Sequence, residues 1–103
     1  MNELRLALQE SIQSIEQTTE LFYQQKIEAG YIELQNTLSI LSNTINNLYI
    51  HLADGKDIGS YGDKLVYVLR EAMRAMEIKD TILLSDILQY ELKEVVEQIL
   101  SVL

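Results

Sequence analysis

Eight apolar residues, Ile27, Tyr31, Leu34, Leu38, Leu41, Ile45, Leu48 and Leu52, follow one another in alternating steps of four and three. That spacing returns each side chain to one face of an α-helix and no other regular structure reproduces it. Glu28, Glu33, Gln35, Asn36, Asn43 and Asn47 fall off the seam. The run predicts a helix over 27–53, roughly 40 Å long at 1.5 Å per residue. A helix of that length buries its stripe only against other helices.

The rest of the chain repeats the pattern. Leu4, Leu8, Ile12, Ile15 and Phe22 form a stripe over 3–23, with Ser11 and Thr19 as small interruptions. Tyr61, Leu65, Val68, Ala72 and Ala75, flanked by Leu69, Met73 and Met76, predict a helix over 60–78. Leu84, Leu88, Val95, Ile99 and Val102, flanked by Ile87 and Leu92, predict a last one over 80–102, with Asp80 as its N-cap. Proline is absent and the four glycines all lie between Gly30 and Gly62, so nothing interrupts these helices. The stretch Asp54-Gly55-Lys56-Asp57-Ile58-Gly59 is the strongest loop signal, with Gly55 suited to end one helix and Ser60 or Asp57 to cap the next.

Between the first two helices only Gln24 to Lys26 marks a turn, and one continuous helix through this region is the alternative. The two halves look alike, each a helix pair joined by a polar turn, near Gln25-Lys26 and Lys79-Asp80. Short connections place sequence neighbours antiparallel. The fold expected is therefore all-α: an antiparallel up-down-up-down four-helix bundle, with residues 1–103 as one domain.

Composition narrows the function. With no cysteine, neither disulfides nor thiolate metal sites are available. A net charge of −8 disfavours nucleic acid and anionic membrane surfaces as partners, since both are recognised by clustered positive charge. No stretch reaches the roughly 18 apolar residues of a membrane span, and no basic-then-apolar leader follows Met1, so a cytoplasmic location is expected.

Candidate chemical sites fail on residue count. His51 is the only histidine, whereas a bundle di-iron site needs Glu-x-x-His on two helices, and position 48 is Leu48. Counted from Asp54, a calcium loop would have Gly59 sixth but Lys56 third and Leu65 twelfth, where ligands belong. Glu91, Glu94 and Glu97, with Asp80 and Asp86 upstream, match a magnesium-binding helix of nucleotide hydrolases in spacing but lack a facing acidic pair. Arg70, Arg74 and Lys93 read as surface cations. No catalytic residue, metal ligand or cofactor is expected.

Binding to protein is the remaining class. Six tyrosines stand beside one phenylalanine and no tryptophan. Tyr31 and Tyr61 fall on the apolar seams. Tyr49, Tyr67 and Tyr90 fall off them and, with Ile50 and Val66, are the candidate partner-binding residues; Ile32 and Ile40 extend this set.

The order of elements resembles the bacterial flagellar secretion chaperones, small acidic helical bundles that hold flagellin before export. Leu48, Leu52, Asp54, Gly55, Leu65, Leu69, Ala72, Asp80, Ile87, Leu88 and Leu92 follow that family's outline across about Leu4 to Leu100. The resemblance implies a cytosolic, non-catalytic helper that receives a partner's apolar helix in surface grooves. Two other readings stand beside it: self-association into a homodimer through the long second helix, and magnesium-dependent nucleotide hydrolysis.

Overall fold

The computed structural model describes residues 2–53 and 59–103. The expected loop over Asp54–Ile58, with Gly55 and Asp57, lies outside the described residues, as do the side chains of His51 and Leu52. The described chain forms α1 (Asn2–Tyr23), α2 (Ile27–Ala53) and α3 (Gly59–Glu77), then a fourth rod made of α4 (Thr81–Asp86), a π-helical segment (Ile87–Leu92) and α5 (Lys93–Ser101). Ser60 stands inside the first turn of α3 rather than ahead of it. No strand occurs among the described residues.

Side-chain pairs give the topology directly. Ser11 meets Thr44 and Ser14 meets Thr37, so α1 and α2 are antiparallel. Glu16 meets Lys93, Thr19 meets Gln89 and Tyr23 meets Asp86, so α1 and the fourth rod are antiparallel too. With α3 also running against the rod that follows it, the arrangement is an up-down-up-down four-helix bundle, 42 × 22 × 19 Å.

Both tight turns are built alike, and the chain breaks between α1 and α2. Lys26 N–H donates to Leu21 O (2.9 Å) and Gln25 N–H to Phe22 O (2.9 Å). Asp80 N–H donates to Ala75 O (3.0 Å) and Lys79 N–H to Met76 O (3.1 Å). These are paired bonds of a Schellman helix end, which require a left-handed residue. Gln25 (φ 62°) and Lys79 (φ 57°) supply it without glycine. Asp80 then caps the fourth rod as expected, its Oδ1 accepting from Leu83 N–H at 3.0 Å.

The closest packing lies between α1 and α2, and it runs through hydroxyls. The buried seam of α1 is Leu4, Leu8, Ser11, Ile15, Thr18 and Phe22; that of α2 is Leu34, Thr37, Leu41, Thr44 and Leu48. This corrects the reading of α2 as a purely apolar seam: Tyr31, Leu38 and Ile45 are only partly buried and Ile27 is exposed. Short side chains bring two helix axes close together, and a hydroxyl can lie there only if bonded. Each hydroxyl carries one proton. Ser11 lies 2.7 Å from Ala7 O, Thr18 2.9 Å from Ser14 O, Thr37 3.1 Å from Glu33 O and Thr44 2.9 Å from Ile40 O, own-helix carbonyls that can accept it. Across the interface the oxygens of Ser11 and Thr44 stand 3.0 Å apart, those of Ser14 and Thr37 2.6 Å and those of Thr18 and Thr37 2.9 Å, so each proton goes either to an own-helix carbonyl or to a cross-helix oxygen.

The fourth rod solves a register problem. Leu84, Leu88, Leu92 and Val96 are all fully buried, in successive steps of four. On an uninterrupted α-helix, at about 100° per residue, three such steps would carry the last side chain about 120° around the axis. The wide π-helical turn, closed by Lys93 N–H donating to Leu88 O, takes up much of that drift. Val102, expected in this stripe, lies beyond the end of α5 and is exposed.

Gly30 is set by its neighbour. A Cβ there would stand 2.6 Å from Phe22 Cε1, and the Phe22 ring is itself held edge-on to Tyr31 with centroids 5.1 Å apart. At Gly62 a Cβ meets nothing within 4 Å. Gly30→Ala should therefore destabilise by about 1–3 kcal/mol through overpacking, despite its better helix propensity. Gly62→Ala should stabilise by up to about 1 kcal/mol. Urea unfolding of the two variants against the parent checks the opposite signs.

The hydroxyl ladder makes a second prediction. Thr37→Val, nearly isosteric, should cost about 1–2 kcal/mol by removing the shared partner of Ser14 and Thr18. Its thermal unfolding midpoint should fall while the helical circular dichroism stays unchanged.

Candidate functional site

The fourth rod has a neighbour on each side, and the two clefts differ. Toward α1 the contact is polar: Lys93 Nζ lies 3.1 Å from Glu16 Oε1, Thr19 donates to Gln89 Oε1 at 3.2 Å, and Tyr23 Oη donates to Asp86 Oδ1 at 2.9 Å. These ties cross the cleft at successive turns, around a smaller depression of about 420 Å³. Tyr90 stands at its margin, 64% exposed. Partial burial, the bond to Asp86 and the charges nearby push the Tyr23 phenol up to about 12.

Toward α3 no such ties occur among the described residues, and the cleft is an open groove of about 680 Å³. Ser60, Asp63, Lys64, Tyr67 and Val68 of α3 form one wall, and Glu91, Glu94, Val95 and Gln98 of the fourth rod form the other. The spacing explains the lining, since positions three, four and seven apart share a helix face. Val68 and Val95, 6% and 7% exposed, make an apolar floor. Tyr67, 61% exposed, lays its ring beside it. Asp63 on one wall and Glu91 and Glu94 on the other make an acidic rim, with Lys64 the single cation of the lining.

Two features distinguish this groove. The ion pairs among the described residues are Glu16–Lys93 and Glu71–Arg74, and neither engages the rim carboxylates. The buried Oε1 of Gln98, at the end of the groove away from Tyr67, has no hydrogen-bond partner. It is the single buried side-chain oxygen or nitrogen of that kind among the described residues.

The five candidate residues do not converge. Tyr67 lines the α3 groove and Tyr90 the α1 cleft, on opposite sides of the fourth rod. Tyr49 and Ile50 are exposed on α2, and Val66 is partly buried on α3; none of these three lines either cleft. Ile32 is exposed and Ile40 partly buried on α2. Tyr31 and Tyr61 pack against the core, as their seams imply. The sequence set Glu91 and Glu94 aside for want of a facing acidic pair and gave Gln98 no role. The usable signal was the pairing of Ser60-Asp63-Tyr67 with Glu91-Glu94-Gln98, two short ladders of rim residues that antiparallel helices place opposite each other. Of the glutamate series, Glu97 lies outside the groove. Among the described residues no group of three or more His, Asp or Glu side chains is placed to hold a metal ion, and no helix is long and apolar enough to cross a membrane.

The Tyr23 contact predicts a pH effect. Because the folded state raises this phenol's pKa from 10.0 to about 12, its contribution is intact below pH 10 and is lost as pH rises toward 12. Stability should fall across that window more steeply in the parent than in Tyr23→Phe, as read by urea midpoints at each pH.

The chain belongs to the family described as a domain of unknown function, DUF8042, whose match covers residues 1–102. No curated protein and no solved structure matches it.

Proposed function

We propose that this member of the DUF8042 family is a non-catalytic, protein-binding helical bundle, a chaperone or accessory protein serving secretion or flagellar assembly in the cytoplasm. The observation that carries the reading is the α3 groove, where an apolar floor, an exposed tyrosine and carboxylates with no ion pair among the described residues lie together. Tyrosine beside a desolvated floor with a polar rim is a common composition of protein interfaces. The chaperone-like role draws on the resemblance in helix order and on the acidic surface, which suits a basic or aggregation-prone client.

Self-association is the second reading. It draws on the exposed Ile32, Tyr49 and Ile50 of α2, apolar side chains on a helix whose inner face is already occupied by α1.

Site-specific photocrosslinking separates the two. Benzoylphenylalanine replacing Tyr67 should yield a discrete adduct with a different protein in the cells of origin, while the same group replacing Ile32 should not. Self-adducts from position 32 with none from position 67 would install the homodimer reading instead.

A further inference from the structure

We infer that the occupant of the α3 groove is a basic amphipathic helix, about two turns of which lie between α3 and the fourth rod. This rests on the protein-binding reading above and specifies its partner's chemistry.

The walls dictate the form of the occupant. Both are helices whose backbone groups are bonded internally, so they offer no edge to which an extended segment could pair its own N–H and C=O groups. A helical segment satisfies its own backbone and needs only side-chain contacts. Ser60 to Val68 spans about 12 Å of wall at 1.5 Å per residue, two turns of helix. Apolar side chains at positions i, i+3 or i+4, and i+7 of the guest would cover Val68, Val95 and the ring of Tyr67.

Charge dictates the rest. The lining holds three carboxylates (Asp63, Glu91 and Glu94) against one ammonium (Lys64), within a chain of net charge −8. Carboxylates stand on both walls, so the guest carries Lys or Arg on both flanks of its apolar stripe.

Calorimetric titration of the full chain with three synthetic helical peptides of about 18 residues, or five turns, tests this. One has a leucine stripe flanked by Lys and Arg, one has the same stripe flanked by Glu, and one has the basic composition with the leucines scattered. The basic striped peptide should bind one to one and weaken with salt, and the other two should bind at least about tenfold more weakly. Glu91→Lys combined with Glu94→Lys should weaken the basic peptide roughly tenfold and strengthen the acidic one, with folding checked by circular dichroism.

Equal binding of the scattered peptide would reduce the effect to bulk charge and overturn the inference, as would equal binding of the acidic peptide. A dimer that fills the groove with a second copy, seen by light scattering and broken by the double charge reversal, would overturn it too. If no peptide binds while position 67 still crosslinks to another protein, this inference falls and the protein-binding reading stands. If position 67 yields no adduct either, both fall.

Discussion

The hydroxyl-lined contact between α1 and α2 is the constraint on which the arrangement rests. A seam made only of leucines can slide by a turn and remain apolar, because one leucine replaces another. Ser11 against Thr44 and Thr37 against both Ser14 and Thr18 resist sliding, since a shift would separate these polar pairs and set hydroxyls against leucines. Thr37 Oγ1 also lies 3.3 Å from Ser14 O and Thr44 Oγ1 3.4 Å from Ala7 O, which shows how near the two backbones come. Gly30 serves the same approach farther along, where the Phe22 ring fills the place of a side chain.

That contact decides what the other two helices can do. With one face of α1 committed to α2, the fourth rod takes the neighbouring face and is tied there by Lys93, Gln89 and Asp86. Its leucines must then point inward along its full length, which the π-helical turn makes feasible. The side of the rod turned to α3 is left with the short Val95 at its base and glutamates at its edge. The groove is therefore a consequence of packing: Val68 and Val95 are too short to close the cleft, and the like charges of Asp63, Glu91 and Glu94 favour keeping it apart.

Much of this was legible in the residues. Four helices followed from the alternating four-and-three steps and from the lack of proline, and Asp80 was recognisable as a cap because its side chain can accept from a first-turn N–H. Other features were not legible, for physical reasons. The buried seam of α2 passes through Thr37 and Thr44 rather than Leu38 and Ile45, because proximity to α1 favours short side chains with bonded hydroxyls over larger apolar ones. The turn expected at Gln24 to Lys26 is formed, but the left-handed residue on which it closes is Gln25, and glutamine carries no signal for that conformation. The same holds of Lys79.

The division between sequence and tertiary structure is thus a division between what one helix can express and what two must settle together. Period, length and capping are local, so the chain by itself determined that it is helical, where most helices lie and that their connections are short enough for antiparallel neighbours. Which face of each helix is innermost, where the π turn falls and which cleft stays open depend on volumes and hydrogen bonds contributed from distant positions. Tyr67 and Tyr90 read alike in the sequence, both off the main seams. Packing alone sets one beside the larger, acidic groove toward α3 and the other at the margin of the cleft that polar contacts cross toward α1, because only the second faces a helix with partners to offer.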